Sequence, residues 1–409
     1  NHKIRSFPLV PITLKSLSKP QYSVSPARSQ GQYIVLLLQS CFLLLYDVQM
    51  SNKPYSQRIA KVRETMSHHD CDAFFSVDPI DNAYLTGFFG TTSALLLTAS
   101  STLFLCDFRY SEQALAQVDV AEVLECKGNL DVRLAEQMAQ LQLQRIAFEP
   151  ETLSVARYET ICSQCGGMLV SAAGICRNLR IRKDVLEVER LAAAQSLAEE
   201  ALEATVKELR AGVTECSIAA RLEYEFRLRG AQAASFDTIV LFGERSSLPH
   251  GKPGDRRLTA GDVVLIDCGC ILDGYCSDLT RTFIFGRIPG DWFSEIYEIT
   301  RVAQKKALLA ARAGVSAREV DAAARGTISA ADFGDNFGHG TGHGVGLEVH
   351  EAPRLNAGSE AVLETGMAVT VEPGIYLPGR GGVRIEDLIV ITADGNRNLN
   401  HLSKELRTL

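Results

Sequence analysis

The chain has 409 residues, 46% hydrophobic and 22% charged, with a formal net charge of −7. At about 100–200 residues per domain this is chain enough for two or three domains, and it excludes a disordered tail, a collagen-like repeat or a coiled coil. The acidic balance and single Trp give neither the basic footprint nor the stacking platform of a nucleic-acid binder, so no nucleic-acid partner is expected.

The eleven cysteines are odd in number and scattered, which suits a reducing compartment and a cytoplasmic location better than a disulfide scaffold. Cys162-Ser163-Gln164-Cys165 is an isolated CxxC and reads as buried small hydrophobes rather than a zinc or redox site. Residues 1–49 stand apart: five basic residues face only Asp47, four prolines punctuate them, and they end in the apolar run Tyr33 to Tyr46. Gln39-Ser40 interrupts that run, which falls short of the roughly 18–20 residues of a membrane span. It also lies too far from the terminus for a signal peptide. Because Met50 precedes an ordinary polar helix start, residues 1–49 read as an upstream translation or a disordered extension, and no membrane partner is expected.

From residue 50 to 180 the pattern is that of an α/β domain. A helix is predicted over Tyr55–Ser67, a strand over Ala73–Ser76, a strand pair over Ala94–Thr98 and Thr102–Cys106, a helix over Val132–Leu143 and a strand over Arg145–Phe148. His68-His69 reads as a helix end. Residues 181–409 form the next domain, opened by a Gly- and Pro-free helix over Asp184–Leu209.

This second domain repeats itself. Ala211-Gly212-Val213-Thr214 recurs as Ala313-Gly314-Val315-Ser316; Thr214 and Ser316 are helix N-caps, and Ser316 to Glu319 spells a capping box. Leu258, Gly261, Val264, Asp267 and Gly269 recur 105 positions on as Leu363, Gly366, Val369, Glu372 and Gly374. So long a period signals a duplicated half-domain, not a solenoid. The first half supplies His250, Asp267 and Asp278; the second supplies His343, His350, Glu372 and Glu386. Facing halves would converge these side chains on one site.

Val263 to Asp267 is an apolar strand ending in an acid, and Asp273-Gly274 is a strong two-residue hairpin signal. The register then sets 267 opposite 280 and 269 opposite 278, so Asp267 and Asp278 share a face as diagonal neighbours. By the same parity Cys268 and Cys270 point away, while Cys276 shares the face of Asp278. Val369 to Glu372 is a second apolar strand ending in an acid, and on the following strand Arg384 and Glu386 share a face. Acids crowded on a buried face need a cation, a shared proton or solvent. Between Gly338 and Gly346 glycine takes every second position, leaving one face bare for close approach of another chain while the other shows His339 and His343. The spacing is not that of a phosphate loop. One His with four carboxylates suits two divalent ions, Mn²⁺ foremost, with Co²⁺ or Zn²⁺ as alternatives.

Leu248-Pro249-His250-Gly251, Asp267 with Asp278, Gly342-His343-Gly344 through His350-Glu351, Glu372-Pro373-Gly374 and Arg384-Ile385-Glu386-Asp387, taken in order, closely resemble the Xaa-Pro peptidase family. This is the aminopeptidase P and prolidase group of "pita-bread" metallopeptidases, related to methionine aminopeptidase. The resemblance spans residues 50–409 and implies an α/β (α+β) fold: a creatinase-like N-terminal domain, then a pita-bread domain with duplicated halves around a dinuclear metal site. It implies that Asp267, Asp278, His343, Glu372 and Glu386 hold the metals, with Asp278 and Glu386 bridging. Glu372 is implied as the proton-shuttling base for a metal-activated water. His250 and His350 would orient substrate and stabilise the oxyanion, His339 would stand behind them, and Arg384 would orient Asp278.

The activity implied is hydrolysis of the bond between an N-terminal residue and proline, on dipeptides first and on longer peptides as the alternative, and the resemblance implies a homodimer. The extra α/β domain argues against a methionine aminopeptidase. The intact ligand set argues against a metal-independent creatinase and against a catalytically silent peptide-binding relative.

Overall fold

The computed structural model describes residues 54–409; the reading of residues 1–49 lies outside them. The first sheet has six strands in the order Glu122–Glu125, Thr102–Cys106, Ala94–Thr98, Ala73–Ser76, Arg145–Phe148, Met168–Ser171. Its central strand, Ala73–Ser76, is buried at every residue because helices cover both faces of the sheet, which is why it reads as an unbroken apolar run rather than an alternating one. It pairs antiparallel with Ala94–Thr98 and parallel with Arg145–Phe148. The helix Tyr55–His68 buries Tyr55, Ile59, Val62 and Met66, spaced by whole turns to make one apolar stripe. The helix expected over 132–143 runs instead over Leu130–Gln140. Asn129 starts it early by accepting hydrogen bonds from the backbone N–H groups of Asp131 and Val132, and Gln142, at φ 55°, lies past its end.

The helix Val185–Val206 begins at Asp184, whose side chain forms a capping box with Glu187. It opens the duplicated region, and the repeat is physical. Gly212 and Gly314 adopt φ 88° and 84°, and their N–H groups donate to Leu258 O and Leu363 O at 2.9 and 2.8 Å. Thr214 and Ser316 each form a capping box at the start of a helix, Glu215–Leu228 and Ala317–Ser329. Gly261 and Gly366, at φ 97° and 91°, then turn the chain into the strands Val263–Cys268 and Ala368–Val371, a conformation that favours glycine.

Val263–Cys268 lies between Ile239–Phe242 and Leu279–Ile284. Ala368–Val371 lies between Gly342–Gly344 and Asp387–Ile391. The hairpin register is the expected one, Asp267 opposite Thr280 and Leu272 opposite Tyr275, with Asp273 and Gly274 both at positive φ, as a two-residue turn requires. The two halves are stitched together where the N–H of Glu386 donates to Thr280 O at 3.2 Å and the Thr282 hydroxyl donates to Arg384 O at 2.9 Å.

Among the described residues no helix is long and apolar enough to cross a membrane. The ten described cysteines are free thiols. Cys268 and Cys270 do point away from the carboxylate face, into a core with Leu197, Ala201 and Phe226. Cys276 belongs to another core cluster, beside Tyr275 and Leu347, and does not line the cavity described next.

Candidate metal centre

The acids sit where the ladders break. Asp278 precedes the strand Leu279–Ile284, Glu372 follows Ala368–Val371, and Glu386 lies between Gly381–Arg384 and Asp387–Ile391. At the first break Gly269 passes so close to the other strand that a Cβ there would fall 2.0 Å from Ser277 O. Gln195 holds the freed peptide of Asp278 from both sides, its Nε2 donating to Asp278 O (3.1 Å) and its Oε1 accepting from Asp278 N (3.2 Å). The bare face of the glycine run serves the same end: Cβ atoms on Gly342 and Gly344 would strike Thr370 O and Ala352 O at 2.0 and 2.2 Å, so neighbouring strands press against it.

Asp267, Asp278, His343, Glu372 and Glu386 all line one cavity of about 900 Å³, together with His250, His339, His350 and Arg384. Donor atoms of Asp278, His343 and Glu386 lie within 4.8 Å of one another, and all three residues are buried. His343 Nδ1–H donates to Gly344 O at 3.0 Å, which leaves the Nε2 lone pair facing Asp278 Oδ2 at 3.6 Å and Glu372 Oε1 at 3.4 Å. Asp267 Oδ1 is buried without a partner. A lone pair aimed at carboxylates and an orphaned carboxylate oxygen are both uncompensated as they stand. Divalent cations among these donors would satisfy them, so the residues fit the ions.

Burial, then Glu386 and Asp267, push the Asp278 carboxyl well above its ordinary range. Burial, then Glu372 and Asp267, do the same to Glu386. Burial raises Glu372 to about 7 despite Arg384 nearby, and lowers His343 to about 3.

Among the described residues Arg384 is the one guanidinium buried against these acids, and here the expected pairing is corrected. It donates to Asp267 Oδ2, not to Asp278. Its Nε donates to the Thr280 hydroxyl at 3.0 Å, and Thr280 is the residue opposite Asp267 in the ladder, so the guanidinium reaches across Thr280 to that acid. The Thr280 hydroxyl in turn donates to Glu386 Oε2 at 2.8 Å.

Arg384 also donates to the Tyr376 hydroxyl at 2.8 Å, which lies 2.8 Å from His339 Nε2, while His339 Nδ1 is 2.8 Å from Gly340 O. With Nδ1–H donating to Gly340 O, the Tyr376 hydroxyl donates to Nε2, and the relay is closed. His250 and His350 are exposed on the cavity wall, and the His350 ring stands edge-on to that of His343, 4.5 Å between centroids.

Sequence reasoning missed Thr280, Tyr376 and Arg354. The hairpin register placed Thr280 opposite Asp267 but gave no sign of its hydroxyl's role, and Tyr376 carries no spacing signal. Arg354 pairs with His343 across the strands Gly342–Gly344 and Glu351–Leu355, so it shares the face of His343 and lines the cavity. Its side chain is exposed, and its charge acts on His343, His350 and Glu372. The alternation from Glu351 to Leu355 was visible, but the shift in register between His343 and Gly344 hid which residue stood opposite.

Residues 189–393 match metallopeptidase family M24, and residues 58–182 match the creatinase/prolidase N-terminal domain. The chain is 39% identical over 350 residues to an uncharacterized peptidase, YqhT, of Bacillus subtilis, covering 85% of this chain and 99% of that one. Among solved structures it resembles an Xaa-Pro dipeptidase from Bacillus anthracis, with 38% identity, a TM-score of 0.84 and coverage of 87% and 100%. It also resembles an X-Pro aminopeptidase from Thermotoga maritima, with 37% identity, a TM-score of 0.80 and coverage of 83% and 98%. With a creatinase-type N-terminal region ahead of a pita-bread domain that gathers these donors, the chain belongs to metallopeptidase family M24.

Proposed function

We propose that the protein is a dinuclear-metal Xaa-Pro dipeptidase, with an N-terminal domain over 50–180 and the catalytic domain over 181–409. The observation that carries this reading is the convergence of Asp267, Asp278, His343, Glu372 and Glu386 on one cavity, with too few internal cations to balance them. These five hold the metals, which when bound act as Lewis acids and ease the deprotonation of water. Mn²⁺ is the first choice for an oxygen-rich set, ahead of Co²⁺ and Zn²⁺. Glu372, on the cavity wall with Oε1 3.4 Å from His343 Nε2, is the proton carrier, taking a proton from water and delivering it to the departing amine. His250 and His350, on the cavity wall, orient the substrate and stabilise charge on the scissile carbonyl oxygen. His339 steadies Arg384 through Tyr376, and Arg384 fixes Asp267.

The preference for proline comes from the relatives. The preference for a dipeptide comes from Arg354, an exposed guanidinium beside His343 that suits a substrate's terminal carboxylate. The second reading, an aminopeptidase acting on longer Xaa-Pro peptides, draws on the about 900 Å³ of the cavity, more than a dipeptide fills. A cytoplasmic homodimer accords with the free thiols and with the family.

The test is to strip the full chain with a chelator, reload it with Mn²⁺, and follow release of the first residue from an Xaa-Pro dipeptide and an Xaa-Pro-Yaa tripeptide. Faster cleavage of the dipeptide supports the proposal, and preference for the tripeptide selects the second reading. No metal-dependent cleavage of either overturns both.

A further inference from the structure

His350 is exposed at the cavity, yet the next residue, Glu351, is among the most tightly held groups in the molecule. Its side chain is 4% exposed, and both its oxygens are taken, Oε1 by Arg180 at 2.6 Å and Oε2 by Lys183 at 2.7 Å. Burial pushes this carboxyl up, but Lys183 and Arg180 outweigh it and hold it at about 2. The carboxylate lies over Gly346, where a Cβ would fall 2.5 Å from Oε2. Oε1 also accepts from the N–H of Glu348 at 3.3 Å, and Arg180 donates to the Glu348 carboxylate as well. The segment from 348 to 351 is therefore tied at both ends to one guanidinium, with His350 inside the tie.

The two cations are themselves fixed. Arg180 ends the helix Ile175–Ile181 and reaches Asp81 Oδ1 at 3.3 Å. Lys183, 1% exposed, donates its backbone N–H to Gly366 O at 2.8 Å and precedes the capped start of Val185–Val206. A carboxylate gripped on both oxygens from two anchored points can neither slide nor turn.

We propose that Glu351, clamped by Arg180 and Lys183, is the positioning residue for His350, so that the segment joining the α/β region to the pita-bread domain sets where this imidazole stands over His343. The inference rests on the reading of His350 as a substrate-orienting group, but its first readout does not.

The experiment uses the full chain loaded with Zn²⁺, which is diamagnetic, and ¹⁵N-labelled histidine, with His350→Gln identifying the His350 ring signals. Lys183→Met leaves Glu351 its Arg180 contact, and Lys183→Arg keeps the charge. The expected result is that Lys183→Met shifts or broadens the His350 signals, leaves Zn²⁺ affinity unchanged, and lowers kcat for an Xaa-Pro dipeptide by about tenfold, a fraction of the roughly 10²-fold that a 1 Å misplacement costs. Lys183→Arg should restore both signal and rate. Glu351→Gln should exceed Lys183→Met in both readouts if it folds. Unmoved His350 signals in Lys183→Met would overturn the proposal, as would a loss of rate matched by lost Zn²⁺ affinity. If no Xaa-Pro peptide is hydrolysed by any form, the functional reading fails, and the ring signals still decide the positioning role.

Discussion

Glu386 and Asp387 are consecutive and both almost wholly buried, yet their carboxyls are driven in opposite directions. Glu386 faces the cavity, where burial and the charges of Glu372 and Asp267 push it well above its usual range. Asp387 faces the other way, and although burial pushes it up, Arg281 and Lys404 outweigh that and bring it below. It also accepts hydrogen bonds from Gln304 and Asn398, at 3.0 and 2.8 Å. Glu351 and Asp278 repeat the contrast at another point of the fold. Carboxylates such as Asp387 and Glu351 have the cations they need inside the protein, and they hold the structure together. Asp278, Glu372 and Glu386 have beside them, among the described residues, one buried guanidinium, that of Arg384, and it donates to Asp267; in the proposed reading, cations from outside supply the rest.

The contrast is broken most severely by Asp278→Asn. We expect a rate loss of roughly 10³-fold or more, on the scale of removing a group that stabilises the transition state, together with weaker divalent-cation binding by calorimetry. The chelator-stripped variant should resist urea better than the stripped wild type above neutral pH, because a repelling charge has gone. Retention of full metal-dependent activity would sink the metallopeptidase reading. Asp387→Asn should do the reverse. It leaves Arg281 and Lys404 buried or half-buried beside a neutral group, at a cost of about 3–5 kcal/mol in urea unfolding. Cation affinity per folded molecule should stay as it was.

Much of this division was legible before the structure. The strand-ending acids Asp267 and Glu372 were visible as a repeat 105 positions apart, and the Asp273-Gly274 turn fixed a register that holds on both sides of the break at Gly269. Short, strongly apolar strands with turn residues at both ends, such as Ala73–Ser76, could be bounded to the residue. What the sequence could not carry were contacts between segments far apart in the chain. The family resemblance implied that Arg384 orients Asp278, but its reach past Thr280 to Asp267 depends on how two hairpins abut. Glu351 looked like a motif letter after His350, and nothing local tied it to Arg180 and Lys183 some 170 positions earlier.

The internally balanced side of the comparison can be read by pH. The carboxyl of Glu351, at about 2 against an ordinary 4.5, binds fewer protons in the folded chain than in the unfolded one between those values. Its contribution is therefore fully present above pH 4.5 and lost as pH falls towards 2, and it amounts to about 3 kcal/mol. Unfolding free energies of the wild type should fall through this window, and Glu351→Gln should flatten the fall while lowering stability at neutral pH. An unchanged slope would remove Glu351 from the balanced class.

Arg354 contrasts with the cavity acids: it is an exposed cation on the cavity wall whose guanidinium no carboxylate of the described residues hydrogen-bonds, and in the proposed reading it takes its anion from the substrate. A dipeptide carries its carboxylate one residue beyond the scissile bond, whereas in a longer peptide an amide stands there. Arg354→Met should then raise KM for an Xaa-Pro dipeptide by about 10–100-fold, the worth of a charged hydrogen bond, with kcat little changed, because the contact is made equally in ground and transition states. Arg354→Lys should recover part of the loss, keeping the charge but not the two-pronged geometry. A dipeptide amide should bind wild type and Arg354→Met alike. If Arg354→Met instead impairs dipeptide and amide equally, the guanidinium is shaping the cavity rather than reading the terminus, and the preference for dipeptides loses its physical basis.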